Sequence, residues 1–196
     1  MFKFNSRKIV LIALFIALNV IVSFSAFEIT FASWKVSLSI TVCFFSGLFT
    51  GFIGGALTGL LGDVLGYVIM PPAFAFNPLL SLTSMFWGLV PGLVIDLYKV
   101  IFRKKITLGV GVIICCISQL FLYVVVSLGI NALILWQSYY SSLNFFKFLV
   151  IERLLPSTLN VFANLLLSIT LFCAIYKSPS FKEYLDAYKV KDKVKE

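Results

Sequence analysis

Apolar runs recur along the chain, separated by short stretches where charges, prolines and amides gather. Residues 9–27 carry no charge and follow Lys3, Arg7 and Lys8. That run is long enough to cross about 30 Å of hydrocarbon. A cleaved secretory signal has a similar outline, with small residues near Ser23 and Ser25. Five further spans follow it, however, in place of a soluble domain, so the segment is read as a retained first span. Residues 36–62 are also uncharged, with Gly47, Gly51, Gly54 and Gly55 inside. Splitting this run near residues 50–52 predicts a second span over 36–50 and a third over 52–70. Both are short for lone membrane helices, which implies tilt, irregularity or shielding by neighbours. Pro71 and Pro72 end the third span. The fourth runs over 79–97, with a kink expected at Pro91. The fifth begins after Lys105 and reaches Leu135, and the sixth covers 154–176. The pattern predicts an all-α integral membrane protein with six transmembrane helices over residues 1–177, followed by a polar tail over 178–196.

Composition sharpens this. The chain is 61% hydrophobic and 12% charged, against about 45–50% and 25% in soluble domains. One water-soluble core cannot hide that much apolar surface, and no polar stretch is long enough to form a large extramembrane domain. The chain has no His. That excludes a Ser-His-Asp triad, a Cys-His dyad, a His-based zinc site and histidine-ligated haem. Cys43, Cys115, Cys116 and Cys173 lie in apolar runs at spacings that match no metal or redox motif. They are expected to pack as small hydrophobes.

Charge sets the expected orientation. Six spans place both termini on one side. Of the 16 Lys and Arg, 13 fall in the amino terminus, the loop after span four and the tail, leaving only Lys35, Lys147 and Arg153 for the other face. The positive-inside rule then makes both termini cytoplasmic in a bacterial plasma membrane. The net charge of +8 is therefore a topology signal. In the tail, Ser180 and Glu183 have the spacing of a capping box, and Phe181, Tyr184, Leu185 and Tyr188 share one helical face. A short amphipathic helix resting on anionic headgroups is expected there.

Three features stand out against the apolar background. The first is a ladder of small residues: Ala13 and Ala17 in span one, then Gly47, Gly51, Gly55 and Gly59. Four-residue spacing stacks them on one face and lets backbones approach. The glycines suit packing within the bundle, while Ala13 and Ala17 serve equally for contact with another protein. The second is polarity at membrane depth: Asp63 in span three, Ser118 and Gln119 in span five, Asn160 and Asn164 on one face of span six. Asp63 is expected toward the cytoplasmic half, as a structural hydrogen-bond partner. The two Asn residues are either interhelical glue or ligand contacts. The third is the outer rim, with Glu28, Ser33, Trp34 and Lys35 in loop one and residues 71–78 in loop three. Loop five adds Trp136, Tyr139, Tyr140, Phe145, Phe146, Lys147, Glu152 and Arg153. Aromatics mixed with amides and cations suit a flat, polar heteroaromatic ligand bearing an anionic group, although interfacial belts share that composition.

No catalytic set emerges. A Walker A motif, paired carboxylates and a dense acidic motif for metal-dependent chemistry are all missing from the sequence. Neither an enzyme nor a cofactor is expected, and energised transport would need a separate ATPase.

Taken in order, these residues resemble the substrate-binding S components of energy-coupling factor (ECF) vitamin transporters, in particular the folate-type branch. The likeness rests on Ala13/Ala17 in span one and on residues 34–39, Trp-Lys-Val-Ser-Leu-Ser, leading into span two. It continues through the turn at 48–55, Gly59 to Gly66 with Asp63 inside, Phe76-Asn77-Pro78 before span four, and Glu152 to Pro156 before span six. The resemblance implies a vitamin, folate or a reduced folate, bound from outside through Trp34, Lys35, Phe76, Asn77, Arg153, Asn160 and Asn164. It implies a transmembrane coupling subunit docking at Ala13 and Ala17, two cytoplasmic ATPase subunits, and release after the subunit tips over in the membrane. Another vitamin such as riboflavin or pantothenate, or a cell-envelope scaffold without a ligand, remains the alternative.

Overall fold

The computed structural model describes residues 6–23, 29–31, 34–69, 76–102, 106–142 and 144–178. The expected amphipathic tail helix falls beyond these, as do Glu28, Ser33 and residues 71–75 of loop three. Among the described residues the elements are α1 (Ser6–Val22), β1 (Ile29–Phe31), β2 (Trp34–Val36), α2 (Ser39–Thr50), α3 (Phe52–Ile69) and α4 (Pro78–Phe102). Two longer helices follow, α5 (Leu108–Tyr139) and α6 (Phe145–Tyr176). The six helices predicted from the apolar runs are thus present in order, and α3 to α6 are each long and apolar enough to cross a membrane.

Their ends differ from expectation. Span one stops at Val22, five residues short of 27, where Ser23 turns back and its hydroxyl donates to the Asn19 carbonyl at 2.8 Å. The start expected for span two is instead a strand. β1 and β2 pair antiparallel, with Ile29 opposite Val36 and Phe31 opposite Trp34. Their β-branched and aromatic residues suit a pleated ribbon better than a helix. Span six starts at Phe145, well before 154. The Asn144 side chain caps it by accepting the Phe146 N–H at 3.0 Å. Pro156 would normally stop such a helix by crowding the carbonyl four residues back. Here that carbonyl, of Glu152, lies in a π-helical stretch over Leu149–Leu154, whose wider turn makes room. α5 carries a similar stretch over Tyr123–Ile130 and runs on to Tyr139, past the expected 135. α4 continues through Pro91 without interruption.

Glycine packs the first half of the bundle. α3 lies against α4 and α2 where Gly47, Gly55 and Gly88 meet, and a Cβ on Gly55 would stand 2.6 Å from the Gly47 Cα. Gly51, at φ 84°, makes the tight turn from α2 to α3 in a conformation that favours glycine. α2 has 12 residues, ten of them buried. At about 1.5 Å per residue it is too short to span about 30 Å of hydrocarbon. It tolerates this because its neighbours surround it, and the hairpin adjoins its first residues.

Two apolar clusters fill the interior. One, at the end holding the α2–α3 turn, joins Phe44, Phe45, Leu48, Ile95, Ile114 and Phe172. The other, toward the hairpin, joins Ile40, Cys43, Trp87, Leu122, Val126 and Val161. Buried polar side chains pair among them: Ser46 with Thr58, Thr41 with Asn164, and Gln119 with Ser168. Outward-facing positions are apolar instead, such as Val10, Val68 and Ile101, each more than 65% exposed. Such a surface is stable only against lipid.

Candidate functional site

Antiparallel helices bring the hairpin, the end of α3, the start of α4, the end of α5 and the start of α6 to one end of the bundle. Most of the sequence-predicted site residues meet there. Asn77 precedes α4 and turns the chain into it: its Oδ1 accepts the Leu79 N–H at 3.1 Å, and its Nδ2 donates to Ser138 Oγ of α5, also at 3.1 Å. Phe76 packs on Tyr67 of α3, ring centroids 4.7 Å apart. The Ser138 contact, which sequence spacing does not signal, ties loop three to the end of α5.

Arg153 lies in the π-helical stretch of α6. Tyr140, just beyond α5, packs on Phe148 of α6, ring centroids 4.8 Å apart. The Arg153 Nε–H is shielded from solvent and has no acceptor among the described residues. Lys147 is exposed, six residues nearer the start of α6. Trp136 and Phe145 close the same corner, 5.6 Å apart and nearly perpendicular.

Asn160 and Asn164 share one face, as their spacing predicts, and that face meets the chain between β2 and α2. Asn160 Oδ1 accepts the Ser37 N–H at 3.2 Å, while its Nδ2 forms no bond within the described residues. Asn164 is fully buried, and both its amide atoms are engaged by Ser37, Thr41 and Asn160. The backbone of β2, carrying Trp34 and Lys35, packs against α6. Phe76 and Asn77 stand apart from this group, on the α3–α4 side, with the end of α5 between the two sets.

Other polar groups escape sequence reasoning because nothing in their spacing marks them. Thr83 of α4 donates to Asn131 at the end of the α5 π-helical stretch. Tyr123 and Thr158 join α5 to α6 at 2.6 Å. Asn19 of α1, fully buried, accepts from Ser39 at 2.5 Å and donates to the Thr58 carbonyl at 3.3 Å. Asp63 accepts a hydrogen bond from Ser81 of α4 at 2.5 Å, which is the structural role expected of it. It is the twelfth of the 18 residues of α3, nearer the hairpin end than the other.

Ala13 and Ala17 lie on the opposite flank. Both are exposed, and with Ile16, Val20, Leu65 and Ile69 they line an open apolar groove between α1 and the second half of α3.

The family described as "ECF-type riboflavin transporter, S component" matches residues 3–178. No curated protein matches the chain. Among solved structures, FolT bound with folic acid is similar, with a TM-score of 0.62 and 20% identity over 86% of this chain and 98% of that one. The S component of a bacterial ECF transporter also scores 0.62, at 13% identity over 87% and 95% of the two chains. At these identities the two structures establish a shared fold.

Proposed function

The chain belongs to the family of S components of ECF-type riboflavin transporters, and from that footing we propose that it is the vitamin-binding subunit of an energy-coupled importer. It sits in the plasma membrane with both termini inside, as the distribution of basic residues requires. The hairpin end then faces outward and takes the ligand. A coupling subunit docks on the flank at Ala13 and Ala17, and two ATPase subunits supply the energy through it. The subunit tips in the membrane to release its cargo inside.

The proposed ligand is folate or a reduced folate. The observation that carries this reading is the shielded Nε–H of Arg153, which has no acceptor among the described residues, at the end of the bundle where Tyr140 packs on Phe148. A guanidinium pairs with a carboxylate through two parallel hydrogen bonds, which the glutamate tail supplies. The edge of the flat pterin ring, carrying both donors and acceptors, meets the Asn160 Nδ2, which has no partner among the described residues, with Trp34 of β2 on the same side of the site. Phe76 and Asn77 stand on the α3–α4 side, away from this contact. Lys35 adds positive charge near the tail. Asn164 stands behind Asn160 and shapes this surface.

A second reading, riboflavin, is favoured by the description of the matching family. Its ring is also flat but bears no carboxylate, so it makes no use of Arg153. Native mass spectrometry of the purified protein identifies a co-purified vitamin directly, and titration with folate and with riboflavin ranks the two. Binding of riboflavin alone overturns the folate assignment and leaves the S-component reading intact. Binding of no vitamin removes the transport reading.

A further inference from the structure

At the start of α2 the Ser37 Oγ accepts the Ser39 N–H at 3.3 Å, and the Leu38 carbonyl accepts the Thr41 N–H at 3.0 Å. α6 adds a longer-range cap: Asn164 Oδ1 also accepts the Thr41 N–H, at 3.2 Å. The same oxygen takes the Thr41 hydroxyl at 2.8 Å. The Asn164 Nδ2 donates to the Ser37 carbonyl at 2.8 Å, and the Ser37 N–H goes to Asn160 at 3.2 Å. Both backbone groups of Ser37 are therefore held by α6. Ser37 directly follows β2 and lies two residues before α2, at the root of the hairpin. The cap and the root are fixed from 123 to 127 positions away in sequence.

We propose that Asn164 is a positioning residue for the ligand site. It does not touch the ligand. Through Ser37 and Asn160 it fastens the hairpin root to α6, so that a ligand seated on α6 and the order of the hairpin stabilise each other. This rests on the vitamin-binding reading above. Its physical basis is linkage: if an ordered hairpin raises ligand affinity by some factor, the bound ligand must shift the hairpin equilibrium toward the ordered form by the same factor. Asn160 spends one carbonyl oxygen on Ser37 and keeps its Nδ2 for the ligand, whereas Asn164 spends everything on the protein.

The test is hydrogen–deuterium exchange of the full chain in lipid nanodiscs, read over residues 29–37 with and without folate, together with folate dissociation rates. In the wild type, folate should slow exchange of this segment. Asn164→Leu should speed its exchange at least tenfold and speed folate dissociation at least tenfold, while the helices exchange as before. Thr41→Val removes the side-chain bond but keeps the Ser37 bonds, and should change both by less than twofold. Asn160→Ala removes one Ser37 bond and one of the bonds made by Asn164 Nδ2, but keeps the bonds from Asn164 to the Ser37 carbonyl and to Thr41. It should move exchange in the same direction by a smaller factor, and it decides the matter if Asn164→Leu does not fold. Unchanged exchange of 29–37 in these variants overturns the proposal, as does an equal rise across all six helices. If the wild type binds no vitamin, the functional reading fails, but exchange without ligand still decides whether α6 holds the hairpin.

Discussion

Gly55 of α3 and Gly88 of α4 meet backbone to backbone: a Cβ added to Gly88 would stand 2.5 Å from the Gly55 carbonyl carbon. Nothing flexible is available to move aside, because the obstructing atoms belong to a helix main chain. Gly88→Ala should therefore force α3 and α4 apart and cost about 1–3 kcal/mol or more. A thermal melt of the detergent-purified protein measures it. A midpoint equal to wild type would mean that the two helices pack less closely than this.

Ser81 and Asp63 form a second contact between the same two helices. Ser81→Ala leaves the carboxylate without that donor inside the bundle, at a cost of about 1–3 kcal/mol. Vitamin affinity should be unaffected, which isothermal titration beside the melt would show. Lost affinity with unchanged stability would instead place Asp63 in the ligand site.

Arg153→Ala should weaken folate by about 1.5–3 kcal/mol, the range for a hydrogen bond to a charged group, or roughly ten- to 150-fold in Kd. A pterin lacking the glutamate tail should bind the variant as it binds wild type. Equal loss for both ligands, or for neither, would refute the tail clamp.

Ala13→Trp fills the groove beside α1. Vitamin binding should survive, because the groove lies on the flank between α1 and α3, apart from α6. Capture of the coupling subunit should be lost, since close approach of helices needs small residues. Normal pull-down of that subunit by the variant would move the interface elsewhere.

Topology can be read by thiol labelling. In a cysteine-free background, a cysteine at Ser141 should react with an impermeant reagent added outside intact cells. One at Ser178 should react only after permeabilisation. Labelling of both from outside would contradict the inward placement of the termini.

The six helices were legible because hydrocarbon imposes a simple rule: a spanning segment is long, apolar and uncharged. Their ends were less so. α1 stops at Val22 although the apolar run continues to 27, since a strand pair follows and hydropathy does not distinguish an apolar strand from an apolar helix. α6 starts at Phe145 because a π-helical stretch accommodates Pro156, and nothing in the local sequence marks that stretch. The residues of the candidate site were nameable as types, being polar or aromatic where lipid would exclude polarity. Their partners were not. The spacing of Asn160 and Asn164 shows that they share a face, but not that this face holds Ser37.

By itself, the sequence determined the membrane location, the number and order of the helices, and the small residues through which they pack. These follow from solvent transfer and from helical period, which act on each segment separately. Only the tertiary structure decided what the buried polar groups do: that Asn164 caps α2, that Asp63 receives Ser81, and that the Arg153 Nε–H has no acceptor among the described residues. A hydrogen bond is directional and lasts only within about 3 Å, so its partner is set by where helices far apart in sequence come to lie, which local pattern does not encode.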